Sequence, residues 1–264
     1  MAAIRSAVLE NKADLGIIFD TDVDRAGAVL SDGSELNRNR IIAMMAAILL
    51  REHPGTAIVT DSITSTGLAK FIAAHGGVHH RFKRGYRNVI NESIRLNDEG
   101  RDSQMAMETS GHGALKENYF LDDGAYLVTR LLMELAKGRR EGYTLPSLIA
   151  DLQEPAESRE FRMDLRLSDF TPYGNDIIDQ LRVYAAHRPG WALAPNNYEG
   201  VRVDLDGDHG DGWFLLRMSL HEPLLPLNIE SDSPGGVKVI ARELFPFLSS
   251  FDKLDTSSLA GFIR

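Results

Sequence analysis

Short apolar runs and longer helical patterns alternate along the first half of the chain. Leu15 to Phe19 is short and rich in branched side chains, which predicts a buried strand. The longest apolar stretch, Ile41 to Leu50, lies in a predicted helix that stops at His53-Pro54-Gly55. Helical and strand-like stretches alternate from residue 39 to about residue 138. This alternation predicts a three-layer α/β domain with a mostly parallel or mixed sheet.

The pattern changes after about residue 140. Glu160 to Leu167 alternates between polar and apolar residues and predicts a strand, whereas Tyr173 to Ala186 predicts a helix. Further strands are predicted at residues 200–203, 213–218 and 227–230, before a last helix at residues 236–247. Strands separated by single helices predict a small α+β domain at the C-terminal end.

Composition and charge narrow the classes of function. The chain has 264 residues, of which 43% are hydrophobic and 25% charged, as is typical of globular proteins. The formal net charge of -9 disfavours nucleic acid as a partner. Because cysteine is absent, disulfides, cysteine-bound zinc and thiol catalysis are excluded. No apolar run reaches membrane-spanning length, and we expect a cytoplasmic or plastid-stromal location, with any targeting segment upstream.

Three aspartates at alternate positions follow the first predicted strand. If that strand continued, Asp20, Asp22 and Asp24 would stand about 7 Å apart, too far for one small cation. A loop that curls at the end of the strand would let the carboxylates converge into an oxygen-ligand site of the kind that suits Mg²⁺. Arg25 follows directly and is placed to pair with a carboxylate or to reach a phosphate.

Two other interpretations of the acidic stretch stay open at this point. The aspartates could form a solvated loop without a ligand. Alternatively, Asp20 could be the phospho-accepting nucleophile of a phosphatase, with Asp22 two residues further on. An EF-hand is excluded, because no glycine stands at its sixth loop position and Val29-Leu30 fall where its later ligands should begin.

A second polar constellation, Glu108-Thr109-Ser110-Gly111-His112, ends a strand predicted at residues 104–108. Open α/β sheets place ligand loops at this end of a strand, and the mixture of donors and acceptors suits sugar hydroxyls. A polar turn without a ligand is the alternative. Asp122-Asp123-Gly124 opens the next predicted helix and could simply cap it, while Lys116 between the two segments could reach an anion.

Two groups of cations are candidates for phosphate binding. Lys83 to Arg87 places three cations around a glycine where a strand meets a helix, and backbone N–H groups there favour phosphate. A solvated basic turn is the alternative for that stretch. Further along, Arg217 and Ser219 end a strand and Arg202 lies on the strand before it, an arrangement that can grip a phosphate.

These motifs together resemble those of the α-D-phosphohexomutases, the superfamily of phosphoglucomutases and phosphomannomutases. Asp20 to Arg25 is similar to the metal loop of that family, and Glu108 to His112 is similar to its sugar-binding loop. Glu199 to Arg202 and Arg217 to Ser219 resemble its C-terminal phosphate-binding domain. The order and spacing agree along nearly the whole chain, and Ala114-Leu115-Lys116-Glu117-Asn118 is similar to a plant-type branch.

The resemblance implies Mg²⁺ as cofactor, a hexose phosphate as substrate and a hexose 1,6-bisphosphate as intermediate and activator. It also implies a remnant of the metal-loop domain at residues 1–38, a sugar-binding domain at 39–150 and a phosphate-binding domain at 151–264. The implied metal ligands are Asp20, Asp22 and Asp24. The implied substrate-binding residues are Arg25, Arg87, Glu108, Ser110, His112, Lys116, Arg202, Arg217 and Ser219.

Two departures from the family pattern change what we expect of this chain. No Thr-x-Ser-His-Asn-Pro type segment, the family's phosphoserine motif, occurs in the sequence. The first ten residues have helical spacing without a capping residue, and a lone helix and strand there would have no sheet. We therefore expect the C-terminal portion of a longer enzyme, either inactive alone or a non-catalytic sugar-phosphate-binding protein. In the phosphate loop, His221, Glu222 and Pro226 also depart from the usual residues.

Overall fold

The computed structural model describes residues 1–219 and 222–264, and the chain folds into two compact units. The first unit is Met1–Gln153 and the second is Glu154–Arg264. Each unit has its own apolar core. The predicted class, an α/β part followed by a small α+β part, is confirmed. The three-domain division at residues 1–38, 39–150 and 151–264 stays a prediction.

The first unit alternates between strands and helices after an N-terminal hairpin. Its elements are α1 (Ala2–Asn11), β1 (Leu15–Phe19), β2 (Ala26–Leu30), β3 (Glu35–Leu36), α2 (Arg38–Glu52), β4 (Ala57–Thr60), α3 (Thr66–Ala74), β5 (Val78–Arg81), α4 (Tyr86–Asp98), β6 (Ser103–Met107), β7 (Gly113–Leu115) and α5 (Gly124–Glu141). Short 3-10 turns lie at Lys116–Asn118 and Leu145–Ile149.

The first unit contains two sheets. β1, β2 and β3 form an antiparallel sheet, in which Leu15 lies opposite Leu30 and Phe19 opposite Ala26. The first strand therefore does not stand alone, which corrects the expectation from sequence. The reason is that the chain turns back twice, at the acidic loop and at a tight hairpin where Gly33 has a φ of 82°.

The second sheet has the order β5-β4-β6-β7. β4 runs parallel to β5 and β6, whereas β7 runs antiparallel to β6. The carboxyl ends of the parallel strands share one edge, so Asp61 after β4 and Glu108 after β6 emerge side by side. On one side of this sheet lies α2, in which all residues from Ile41 to Leu50 are buried. A helix that is apolar all round belongs inside a core, and here it packs in the core of the first unit.

The second unit is built on one antiparallel sheet. Its elements are β8 (Glu157–Asp164), α6 (Phe170–Ala186), β9 (Trp191–Leu193), β10 (Val201–Leu205), β11 (Gly212–Leu216), β12 (Leu224–Ser231), α7 (Gly236–Leu248) and α8 (Ser257–Ile263), with a 3-10 turn at Gly207–His209. The strand order is β8-β12-β11-β10-β9, and every pair is antiparallel. The three helices supply apolar side chains to the core of this unit.

Among residues 1–219 and 222–264, no helix combines the length and the apolar character that crossing a bilayer requires.

The start of α7 gives a test of the packing in the second unit. A Cβ on Gly236 would lie 2.0 Å from Ser231 Oγ and 2.3 Å from the Gly210 carbonyl oxygen. We expect Gly236→Ala to lower the free energy of unfolding of this unit by about 2 kcal/mol, because buried backbone must shift. Both tryptophans, Trp191 and Trp213, lie in the second unit, so urea unfolding followed by tryptophan fluorescence measures this unit.

Gly207→Ala is the matched control for that measurement. A Cβ on Gly207 would meet nothing within 4 Å. This variant should change the free energy of unfolding by no more than about 0.5 kcal/mol. Equal urea midpoints for the two variants would contradict the packing described for α7.

Candidate functional site

The acidic loop joins β1 to β2 and turns sharply between Phe19 and Ala26. Val23 has a φ of 66°, a left-handed conformation that a β-branched residue rarely adopts. One carboxylate oxygen from each of Asp20, Asp22 and Asp24 lies within 4.8 Å of the other two. The loop thus gathers three carboxylates into an oxygen-ligand set that fits a small, hard cation.

Arg25 places a positive charge beside these carboxylates. Its Nε atom donates to Asp20 Oδ2 at 2.6 Å, and its backbone N–H donates to Asp20 Oδ1 at 3.2 Å. Desolvation by itself raises the pKa of Asp20, but the hydrogen bonds and charge of Arg25 outweigh it and lower that pKa. Desolvation and the neighbouring Asp22 raise the pKa of Asp24 against the opposing charge of His112.

The loop between β6 and β7 meets the acidic loop directly. Arg25 and His112 form an isolated antiparallel β-bridge. His112 Nδ1 lies 2.7 Å from Asp122 Oδ2 and 3.7 Å from Asp24 Oδ2. Asp122 also accepts a hydrogen bond from the backbone N–H of Gly113 at 3.1 Å, which holds its carboxylate in place. Asp24 therefore stands between two groups: the other aspartates of its loop and the His112–Asp122 pair.

Gly124 at the start of α5 explains how closely these segments approach. Its backbone N–H donates to the Val23 carbonyl oxygen at 3.1 Å. A Cβ on Gly124 would lie 2.8 Å from that oxygen and 2.8 Å from the Arg25 carbonyl carbon, so no other residue fits without a shift. The two aspartates before Gly124 have different partners. Asp123 caps α5, and Asp122 is hydrogen-bonded to the imidazole of His112.

Glu108 begins the loop after β6 and is only 4% exposed. Its Oε1 accepts from the backbone N–H of Gly85 at 2.6 Å, and its Oε2 accepts from Ser110 Oγ at 3.3 Å. Gly85 has a φ of 108°, a conformation that glycine tolerates and side chains resist. Glu108 and Ser110, both predicted to contact a sugar, therefore lie together and tie their loop to the start of α4.

Arg87 is linked to His112 by way of Tyr86. The Tyr86 and His112 rings are stacked, with centroids 4.9 Å apart and planes inclined by 22°. Arg87 Nε donates to the Tyr86 hydroxyl at 3.0 Å. Sequence reasoning missed Tyr86, because a single aromatic residue at a helix start carries no signal of its own.

Asp61, after β4, was also missed. It is fully buried and accepts from the Thr109 backbone N–H at 3.3 Å and from Thr109 Oγ1 at 2.7 Å. Burial, reinforced by the charge of Glu108, raises the pKa of Asp61 to about 6, against the hydrogen bonds of Thr109 and the charge of Arg84. The signal that could have found it is its position directly after a parallel strand, at the edge that Glu108 shares.

The structure does not bring Lys116 close to Glu108, Ser110 and His112. Lys116 Nζ lies 3.0 Å from Asp102 Oδ1, and Asp102 directly precedes β6. Because β7 runs antiparallel to β6, the residue after β7 lies at the opposite end of the sheet from Glu108. In this position Lys116 forms an ion pair with Asp102. The position gives no support to the predicted contact of Lys116 with substrate.

Two of the predicted phosphate-binding residues in the second unit are nearly buried arginines. Arg202 in β10 is 3% exposed, and Arg217, directly after β11, is 6% exposed. Arg217 Nη1 lies 3.8 Å from Glu199 Oε1. The backbones of Gly200 and Leu216 approach closely beside these arginines. A Cβ on Gly200 would lie only 2.0 Å from the Leu216 carbonyl oxygen. One cation thus lies in β10, and the other lies at the end of the adjacent strand β11.

Ser219, the third predicted residue, follows β11. Its Oγ accepts from the backbone N–H of Glu222 at 3.3 Å. Pro226 lies within β12, where its carbonyl oxygen accepts from the backbone N–H of Arg217 at 3.2 Å. His221 lies outside the residues that the structure describes.

Asp61 predicts a specific dependence of stability on pH. The folded-state pKa of about 6 exceeds the ordinary value of 3.8, so the folded first unit binds a proton more tightly than the unfolded chain. The stability of the wild type relative to Asp61→Asn should therefore fall as the pH rises from about 4 to about 6. Urea unfolding followed by far-UV circular dichroism at several pH values measures this difference. A difference that stays constant with pH would contradict the assigned burial and charge.

Comparisons with known proteins identify the relatives of this chain. The family model for phosphoglucomutase/phosphomannomutase, alpha/beta/alpha domain III, matches residues 37–155. A phosphomannomutase/phosphoglucomutase of Pseudomonas putida is 33% identical over 236 residues, which cover 88% of this chain and 46% of that protein. This chain thus spans about half the length of the relatives that it matches.

Solved structures show the same relationship. A phosphoglucomutase/phosphomannomutase family protein from Burkholderia thailandensis superposes with a TM-score of 0.75 at 26% identity, over 94% of this chain and 49% of the other. An N-acetylphosphoglucosamine mutase of Aspergillus fumigatus, solved with GlcNAc-6P and magnesium, has a TM-score of 0.58 at 13% identity, over 89% of this chain and 48% of that one. The second likeness concerns the fold alone. On the sequence matches and the shared fold, this chain belongs to the α-D-phosphohexomutase superfamily.

Proposed function

We propose that this chain carries the metal, sugar and phosphate loops of an enzyme that moves a phosphoryl group between the 1- and 6-positions of a hexose phosphate, such as glucose or mannose phosphate. One observation carries the proposal: the acidic loop and the Glu108–His112 loop converge within one compact unit. Phosphoryl transfer depends mainly on positioning and on neutralising charge, so a metal loop beside a loop that reads hydroxyls suits it.

Asp20, Asp22 and Asp24 are the residues that would hold Mg²⁺. Their oxygens already lie within 4.8 Å of one another, and carboxylate oxygens are the ligands that Mg²⁺ prefers. The bound ion would neutralise phosphate charge. Arg25 holds Asp20 through both carboxylate oxygens, which orients that ligand before any ion arrives.

Glu108 and Ser110 are placed to read the sugar. The Glu108 carboxylate is held by Gly85 and Ser110, so it presents acceptor oxygens in a set orientation. His112 is clamped by Asp122 and stacked on Tyr86, which places an imidazole between the acidic loop and this sugar loop. The ligands of the Aspergillus fumigatus mutase, GlcNAc-6P and magnesium, are of the chemical kind that such a site would take.

The second unit would hold the phosphate that is not being transferred. Arg202 and Arg217 offer guanidinium groups, and Ser219 offers a hydroxyl. The transferred phosphoryl group would come from a phosphoserine, giving a hexose 1,6-bisphosphate that reorients and returns its other phosphate. The sequence contains no Thr-x-Ser-His-Asn-Pro type segment, so this chain does not supply that phosphoserine.

The alternatives receive less support. A phosphatase with Asp20 as its nucleophile would leave the Glu108–His112 loop and the arginines of the second unit without a role. A non-catalytic sugar-phosphate-binding protein would share the binding loops, so measured turnover separates it from a mutase. The plant-type likeness and the cytoplasmic or plastid-stromal location stay predictions.

The metal assignment predicts how Mg²⁺ binding responds to the loss of one carboxylate. Asp22 is exposed and belongs to the three-carboxylate group, so Asp22→Asn should keep the fold. We expect this variant to weaken Mg²⁺ binding at least about tenfold in isothermal titration calorimetry.

Asp32→Asn is the matched control. It removes one exposed carboxylate from the nearby hairpin turn. In the wild type, Asp32 Oδ1 accepts from the Ser34 backbone N–H at 2.8 Å, and the amide oxygen of asparagine can accept the same hydrogen bond. This variant should bind Mg²⁺ like the wild type. An equal loss of Mg²⁺ affinity in both variants would show that binding depends on the net charge of the chain and not on the acidic loop.

The lack of the phosphoserine segment predicts the result of an activity assay. The purified chain, supplied with glucose 1-phosphate, glucose 1,6-bisphosphate and Mg²⁺, should form no glucose 6-phosphate above the uncatalysed rate, because its sequence contains no phosphoserine motif of the family. A coupled dehydrogenase assay measures the product. Robust turnover would overturn this part of the proposal, whereas binding without turnover would agree with it.

A further inference from the structure

The sheet of the second unit has two different faces. Val201 and Val203 of β10 point into the apolar core, as do Phe214 and Leu216 of β11. Side chains alternate along a strand, so Arg202 and its neighbours project from the opposite face. That face carries polar residues that are nevertheless buried, among them Arg202, Asn228 and Glu230.

Trp213 lies on this polar face and not in the apolar core. It is 2% exposed, and it is absent from the cluster of apolar side chains that the helices cover. Arg202 pairs with Leu215 across β10 and β11, which makes Trp213 its diagonal neighbour on the same face. The Arg202 Cζ atom lies 3.6 Å from the centroid of the Trp213 ring, a close cation–π contact.

The indole ring is itself held at its edge. Trp213 Nε1 donates to Glu230 Oε2 at 3.0 Å, and Ser158 Oγ donates to Glu230 Oε1 at 3.4 Å. Trp213 and Glu230 are direct partners in β11 and β12, and Ser158 is the partner of Glu230 in β8. A row of polar groups across three strands therefore sets the plane of the ring.

We propose that Trp213 is a positioning residue of the phosphate site, whose indole face sets the orientation of the Arg202 guanidinium. This inference rests on the proposed role of Arg202 in binding phosphate. A guanidinium stacked on a ring directs its N–H groups outward in its own plane, the geometry in which arginine grips two phosphate oxygens. The contact also limits the side-chain motion that binding would otherwise have to arrest.

The test compares two substitutions in the full chain, with inorganic phosphate as the probe. Trp213→Leu removes the aromatic face, and we expect phosphate affinity to fall at least tenfold in isothermal titration calorimetry. Trp213→Phe keeps an aromatic face but loses the bond to Glu230, and affinity should stay within about threefold of the wild type. Rescue by phenylalanine separates positioning of Arg202 from mere filling of space, since leucine also fills space.

Two further variants make the outcomes distinguishable. Trp191→Phe changes the other tryptophan, which lies in the apolar core, and should leave phosphate affinity unchanged. Ser219→Ala tests the phosphate site without touching Trp213. If Ser219→Ala weakens binding and Trp213→Leu does not, the role of Trp213 is overturned while the phosphate site stands. If the wild type does not bind phosphate, or if neither Ser219→Ala nor Trp213→Leu changes binding, the phosphate assignment itself fails.

A fluorescence measurement keeps the proposal open to test if Trp213→Leu does not fold. In the Trp191→Phe chain, Trp213 is the single tryptophan. Saturating phosphate should change its emission, because the bound anion offsets the guanidinium charge over the ring. This change should be absent in the same chain with Arg202→Leu. Unchanged emission at phosphate concentrations that calorimetry shows to be saturating would overturn the proposal.

Discussion

The first unit depends on one backbone contact, between the acidic loop and the start of α5. The N–H of Gly124 reaches the Val23 carbonyl oxygen, and Arg25 and His112 pair beside it. These short-range contacts attach the N-terminal hairpin to the carboxyl edge of the parallel sheet. Together with the packing of Ala28, Leu30 and Leu36 in the core of this unit, they hold the carboxylates beside the Glu108–His112 loop. The glycine is required because any Cβ there would overlap the acidic loop.

Electrostatics at this edge is dominated by acidic groups. Asp20, Asp22 and Asp24 lie close together, and Asp122 stands on the other side of His112. Arg25 stabilises only part of this charge, because its Nε and N–H groups are directed mainly at Asp20. The remaining concentration of carboxylate oxygens favours a divalent cation over another side chain.

The second unit handles charge differently. Arg202 and Arg217 are nearly buried on the polar face of a sheet whose other face packs on helices. Burying a guanidinium is costly unless its surroundings replace water. Here the ring of Trp213 lies against Arg202, and the carboxylate of Glu199 lies near Arg217. Restricted side chains suit the recognition of a fixed group such as phosphate, which gains from donors already in place.

The sequence by itself determined the fold class, most strands and helices and the family, and it singled out the acidic loop and the Glu108–His112 loop as candidates for the site. These features are local, because hydrophobic periodicity and short motifs are properties of neighbouring residues. Tertiary structure decided which residues meet. It paired His112 with Asp122, stacked Tyr86 on the imidazole and buried Asp61 beside Thr109. It also moved Lys116 to the far end of the sheet, since strand direction separates residues that lie close in sequence. Such contacts depend on strand order and direction, which one-dimensional spacing does not encode.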